Sequence, residues 1–120
     1  PSISNEDIKW AIESVQLGSF IKTLPEGLET KIFPDGRQLS SSNAQKILLA
    51  RSIVNKPKIL FYEDPLDKMD EEASKEIIDF LTNSSNQWTV IVSSKNNYWE
   101  QKCSRKITLQ NGKIIADLKK

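Results

Sequence analysis

Three observations in this 120-residue chain predict an α/β fold. Two short apolar runs, at 58–62 and 89–92, have the length and side chains of strands buried in a parallel sheet. Helical spacing of apolar residues alternates with them, giving the order helices, strand, helix, strand, helix, hairpin. Two last apolar runs are joined by Asn111-Gly112, the preferred two-residue hairpin turn. Alternation of this kind builds parallel strands with helices packed against the sheet.

Ser4 and Asn5 precede Glu6 and Asp7, an N-cap followed by acids that favour the positive end of a helix. Ile8, Ala11, Ile12 and Val15 then recur at helical spacing, and Gly18 supplies a C-terminal stop. A short second helix is read from Ser19 to Thr23. Pro25, Gly27, Pro34 and Gly36 punctuate a loop with room for a short strand at 30–33. Ser40-Ser41-Ser42-Asn43 is a cluster of capping residues. Ile47, Leu48, Ala50, Arg51 and Val54 continue from it as a mostly apolar helix, closed by Asn55 and Pro57. The run Lys58-Ile59-Leu60-Phe61-Tyr62 ends in two acids, Glu63-Asp64. Asp70 caps the next helix, whose buried side is read as Ala73, Ile77, Ile78, Phe80 and Leu81. Thr89-Val90-Ile91-Val92 is the second strand, and Ile107-Thr108-Leu109 and Ile114-Ile115-Ala116 flank the hairpin turn. No repeat, low-complexity tract or Gly/Ser linker marks an internal domain boundary.

Composition narrows the function. With 17 Lys and Arg against 16 Asp and Glu, the net charge of +1 makes no case for nucleic acid or an anionic membrane. The absence of His excludes a histidine base and any His metal site. Cys103 stands alone and forms no internal disulfide, so a reducing compartment is expected. No apolar run approaches the roughly 18 residues that span a bilayer. Pro1-Ser2-Ile3 lacks the basic start and apolar core of a signal peptide. Both removal of an initiator Met and excision from a longer chain are compatible with Pro1. At 28% charged residues and with several apolar runs, the chain is expected to fold.

Ligand chemistry in parallel sheets gathers at the carboxyl ends of the strands. That rule draws attention to Glu63-Asp64 and to Ser93-Ser94-Lys95. Plainer readings stand beside these. Ser40 to Asn43 reads as a simple helix cap, Glu63 and Asp64 as solvated acids, and Lys95 as an exposed loop lysine. Asp70 is an N-cap on either view. Trp10, Trp88 and Trp99 read as packing residues, Cys103 as an inert thiol and Lys119-Lys120 as a solvated tail.

Three segments occur in a telling order. The first is Leu24-Pro25-Glu26-Gly27-Leu28-Glu29-Thr30 with Gly36. The second is Leu39-Ser40-Ser41-Ser42-Asn43-Ala44-Gln45-Lys46-Ile47, continuing through Leu49-Ala50-Arg51. The third is Pro57-Lys58-Ile59-Leu60-Phe61-Tyr62-Glu63-Asp64-Pro65, followed by Met69-Asp70. Together they resemble the nucleotide-binding domain of ATP-binding-cassette (ABC) transporters, exporter branch. They look like the loop leading into the signature, the LSGGQ signature with its helix, and the Walker B strand with the D-loop. More loosely, the resemblance runs over nearly the whole chain, with 89–95 as the switch strand and 106–115 as the closing hairpin. It implies a helical, signature-bearing subdomain over 1–56. Residues 57–120 would then be the C-terminal part of the ATPase core, a portion of a P-loop NTPase-like parallel sheet with an antiparallel hairpin.

The resemblance also implies roles, with ATP and Mg²⁺ as ligands of the parent protein. Ser40, Ser41, Ser42 and Asn43 would meet the γ-phosphate of ATP held by a second nucleotide-binding domain. Ser41 and Ser42 replace both glycines of the signature and Asn43 its glutamine, and side chains at glycine positions crowd a phosphate. Glu63 matches the aspartate that organises the Mg²⁺ shell. Asp64 matches the catalytic glutamate, the general base toward water. The spacing to Asp70, together with Pro65, argues against the other register. The two acids are therefore swapped, one a methylene too long and the other too short, and a displacement of about 1 Å can cost about a hundredfold in rate. Asp70 matches the D-loop aspartate. Lys95 matches the switch histidine, and a lysine meets phosphate only as a point charge. Trp10 and Phe20 lie in the subdomain that receives the coupling helices of the membrane domain.

No Gly-x-x-x-x-Gly-Lys-Ser/Thr run occurs, so the Walker A phosphate cradle is missing from the sequence. The resemblance is thus to the C-terminal half of the domain, and negligible hydrolysis by this chain alone is expected. Implied partners are a second nucleotide-binding domain and a transporter membrane domain at the cytoplasmic face of a membrane, with no nucleic acid. The alternative is a non-catalytic domain that regulates or merely docks; an unrelated α/β interaction module is the third reading. In the resembled fold, the strand at 89–92 lies between the Walker B and Walker A strands. Without the latter it has an unpaired edge. Either residues 107–110 move in beside it, or strands pair between chains.

Overall fold

A computed structural model describes residues 3–24, 26–27 and 40–120. The expected strand at 30–33, and most of the loop from Pro25 to Leu39 with Gly36, lie outside the described residues.

Ser4 caps α1 (Asn5–Ser14) in a reciprocal box. Its hydroxyl accepts from the Asp7 amide at 3.1 Å, and its own amide donates to the Asp7 carboxylate at 3.2 Å. The helix stops before Gly18. Val15 is its C-cap, and Gln16 takes the left-handed conformation at φ 64°. Val15 and Leu17, on either side, are both fully buried. Gly18 instead opens α2 (Gly18–Thr23). Then come α3 (Ser41–Ile53), β1 (Ile59–Glu63), α4 (Glu71–Leu81), β2 (Thr89–Ser93), α5 (Tyr98–Lys102), β3 (Arg105–Gln110) and β4 (Lys113–Lys119). This is the order the sequence predicts, with α5 as the helix between the second strand and the hairpin.

β1 and β2 run parallel, with Ile59 opposite Thr89 and Glu63 opposite Ser93. β3 and β4 form a separate antiparallel pair around Asn111 (φ 50°) and Gly112 (φ 76°). A two-residue hairpin turn of this hand needs positive φ at both positions, and Gly112 adopts it with no Cβ to clash. The expected movement of 107–110 to the edge of β2 does not occur. Closing a hairpin over two residues costs far less chain entropy than crossing to another strand. Among the described residues, the second edge of β2 carries no strand.

The core draws on every helix but α2. Val15 comes from the α1 C-cap, Ile53 from α3, Leu60 from β1, Ile77 and Leu81 from α4, and Trp99 from α5. Each buried aliphatic side chain contributes about 1.5–3 kcal/mol over its exposed state. Trp10, Phe80 and Trp88 meet edge to face or tilted at centroid distances of 5.9–6.3 Å. The Trp88 indole donates to the Leu81 carbonyl at 2.8 Å. All three tryptophans are therefore packing residues, as expected.

Two expectations need correction. The apolar runs are buried on one face only. Leu60 is 3% exposed, whereas Ile59, Phe61 and Ile91, on the other face, are exposed, Phe61 to 73%. Helices in the described part cover a single side of the sheet. Lys119 and Lys120 are exposed, as expected, but they are not a free tail. Lys119 pairs with Arg105 in the hairpin, and Lys120 Nζ donates to the carbonyls of Glu100 and Gln101 at the C-terminal end of α5. A cation there offsets the negative end of the helix dipole.

Candidate functional site

Parallel pairing brings the ends of β1 and β2 side by side, and the chain bends sharply just after Glu63. Asp64 sits at φ 38°, a left-handed conformation that Asp tolerates better than most residues. Its amide donates to the Ser93 carbonyl at 2.8 Å, one step beyond the last strand pair. Its Oδ1 accepts from the Ser94 hydroxyl at 2.8 Å and from the Lys95 amide at 3.0 Å. Those bonds, the Lys95 amide first and the Ser94 hydroxyl second, hold the Asp64 carboxyl below its usual range. Partial burial opposes them, and the Lys95 charge adds a smaller pull in the same direction. Glu63 ends the strand exposed to solvent.

Asp64, Asp67, Ser94, Lys95 and Asn96 line a cleft of about 320 Å³ whose apolar floor is Leu66 and Trp99. The Trp99 indole N–H is buried with no acceptor among the described residues. A second cleft, of about 360 Å³, lies between α4 and α5 along Lys75 and Tyr98. Its neighbourhood is an exposed surface network: the Tyr98 hydroxyl donates to Asp79 at 2.7 Å, and Lys102 pairs with the same carboxylate at 3.2 Å. It contains none of the residues expected to do chemistry.

The head of α3 behaves as a cap. Ser40 Oγ accepts from the Asn43 amide at 3.0 Å, and the Ser40 carbonyl accepts from the Ala44 amide at 2.9 Å. The amides of Ser41 and Ser42, in the first turn, have no acceptor within the helix. Asp70 is likewise a cap, its Oδ1 accepting from the Ala73 amide at 2.7 Å.

The structure therefore joins Asp64 to the Ser94-Lys95 turn directly, while Ser40, Asn43 and Asp70 are engaged in caps at their own helix ends. One residue that sequence reading missed connects the two regions. Gln45, in the second turn of α3, donates from its side-chain nitrogen to Asp67 and accepts from the Lys68 amide at 3.0 Å. These two hydrogen bonds pin the loop after β1 to α3. A polar side chain inside a mostly apolar helix was the available signal. Its partner lies 22 residues away, which periodicity cannot reveal.

An α/β segment with acids at the end of one parallel strand and a hydroxyl and lysine at the end of the next has the architecture of part of a nucleotide-binding domain. A solved bacterial Atm1-family ABC exporter with ATP bound has the same fold over 98% of this chain, at a TM-score of 0.87 and 20% identity, and the chain spans 21% of it. The ABC-type transporter kk1G of Curvularia clavata is 34% identical over 116 residues, 95% of this chain. The glutathione/L-cysteine transport system ATP-binding/permease protein CydC of Bacillus subtilis is 31% identical over 114 residues, again 95%. The macrolide export ATP-binding/permease protein MacB of Bdellovibrio bacteriovorus is 36% identical over 92 residues, 76% of the chain. The chain belongs to the ABC transporter family. It spans 9%, 20% and 14% of those three relatives. No family model matches it.

Proposed function

We propose that the chain supplies the signature, Walker B, D-loop and switch regions of an ATP-driven exporter's nucleotide-binding unit. Residues 1–56 form its signature-bearing helical part and 57–120 the C-terminal part of the ATPase core. The observation that carries this reading is the junction at the strand ends, where Asp64 meets Ser94 and Lys95 while Gln45 holds the same loop to α3.

In this reading, the Ser41 and Ser42 amides face the γ-phosphate of ATP held by a second nucleotide-binding domain. Ser40 and Asn43 shape that helix end through the cap. Lys95 adds positive charge at the switch position, and Asp70 holds the D-loop. Among the described residues no three Asp, Glu or Cys side chains converge as a metal cage. Glu63, a single carboxylate exposed at the end of β1, would act indirectly, behind the water shell of Mg²⁺. When bound, ATP brings the reactive phosphoryl group and Mg²⁺ neutralises its charge. Asp64 occupies the water-side position.

The unit sits at the cytoplasmic face of a membrane, against a membrane domain and a second nucleotide-binding domain. No described helix is long and apolar enough to cross a membrane itself. A non-hydrolysing, regulatory or docking role has its own support. The Asp64 carboxylate is already engaged by the switch turn, and the Ser40 hydroxyl is spent on its cap.

Titration of the assembled transporter with a fluorescent ATP analogue, alongside steady-state hydrolysis, tests both readings. Saturable binding weakened by Lys95→Ala is expected, with hydrolysis at this site on the order of a hundredfold below an intact one. Absence of binding refutes the nucleotide role. Full exporter turnover from this site refutes its impairment.

A further inference from the structure

We infer that Asp64 is a positioning residue, a latch that fastens the turn between β2 and α5 to the end of β1. The inference stands on geometry alone; its bearing on nucleotide chemistry rests on the function proposed above. Three hydrogen bonds run from Asp64 to consecutive residues: its amide to the Ser93 carbonyl, and its Oδ1 from the Ser94 hydroxyl and the Lys95 amide. The contact then propagates. Ser94 Oγ accepts from the Asn96 amide at 3.0 Å, and Asn96 Oδ1 accepts from the Tyr98 amide at 3.0 Å, at the first residue of α5. One carboxylate oxygen thus begins a relay that shapes the whole turn carrying Lys95.

Side-chain length matters here. The left-handed backbone at Asp64 turns its short side chain across toward β2. A glutamate from the same Cα reaches one methylene further and overshoots the two donors. What looks like a shortened catalytic acid is matched to a different partner. Oδ1, which already holds two protein donors, is committed to the turn. In the full unit, the latch fixes where Lys95 presents its charge.

Amide hydrogen exchange of the full chain, read residue by residue by NMR, tests this. Asp64→Ala is expected to speed exchange at Lys95 and Asn96 on the order of tenfold, the change that one hydrogen bond of ordinary net strength gives. Asp64→Asn keeps an acceptor of the same length and is expected to retain the protection. Ser94→Ala should release Asn96 and leave Lys95 bonded. If Asp64→Ala does not fold, the asparagine and Ser94 variants carry the test. Unchanged Lys95 exchange in Asp64→Ala overturns the latch, as does an asparagine variant that exchanges as fast as alanine. So does a Ser94→Ala chain in which Asn96 stays protected. None of these measurements involves nucleotide, so a transporter that fails to bind ATP sinks the proposed function and leaves the latch standing.

Discussion

The two faces of the β1–β2 sheet meet different fates within one apolar run. Leu60 is 3% exposed and packs into the core with Ile53, Ile77 and Leu81, while Phe61, the next residue, is 73% exposed. The alternation continues across the pair, where Phe61 lies opposite Ile91, itself 45% exposed. Strand propensity and hydrophobicity are the same on both sides. What differs is the layer above each face. A parallel sheet is stable when helices cover both sides, and the described helices cover one. Burial is thus a property of the layer that a residue meets, and an apolar side chain states only a capacity for it.

The largest expected effect is a direct attempt to break that comparison. Ile77→Ala removes a fully buried side chain from the covered face and is expected to cost about 2–5 kcal/mol. Phe61→Ala deletes a larger side chain from the open face and is expected to stay within about 0.5 kcal/mol, as ordinary surface changes do. Urea unfolding of the two variants checks it. Similar losses would mean that the open face is covered in solution, by another copy of the chain or by a rearrangement of this one.

Legibility followed the range of each signal. Local chemistry was readable: the Ser4, Ser40 and Asp70 caps and the Asn111-Gly112 turn involve residues within three of one another, and all form as expected. Element order was readable because period and length distinguish strand from helix. The exposed face was not, since Phe61 carries no mark of the layer that is absent above it. Nor was the left-handed Gln16, set between the fully buried Val15 and Leu17. In the candidate site, Glu63, Asp64 and Lys95 were legible as strand-end residues. Their geometry was not, because whether Asp64 turns toward Ser94 depends on its backbone angle and on a strand 30 residues away.

A smaller effect sharpens the same distinction between local and distant contacts. Gln45 acts at a distance of 22 residues, and its amide group is both donor and acceptor. Gln45→Ala loses both bonds and is expected to cost about 1 kcal/mol. Gln45→Glu should cost more, since it removes the donor and sets a carboxylate against Asp67. Thermal melts rank the two, and faster amide exchange at Lys68 in both variants locates the damage. If Gln45→Glu is as stable as the parent at neutral pH, the bridge to Asp67 does not form.

The smallest effect belongs to the hairpin, which has an ion pair in place of a deep core. Arg105 grips Asp117 with two nitrogens, at 2.8 and 2.6 Å. Those hydrogen bonds, the largest effect, pull the Asp117 carboxyl below its ordinary 3.8; burial opposes them, and the Arg105 charge adds a smaller pull in the same direction. A carboxyl with a lowered folded value stabilises the fold at pH above 3.8, and that contribution fades as pH falls through the lowered value. Wild type should therefore lose melting temperature more steeply below pH 4 than Asp117→Asn, whose neutral amide has nothing to titrate. Both partners are substantially exposed, so the difference should shrink in high salt. Other lowered carboxyls, such as Asp7 and Asp79, contribute equally to both curves, and only the gap between the curves reports the pair. A gap that opens instead above pH 5 would point to a group other than Asp117 as the one that titrates.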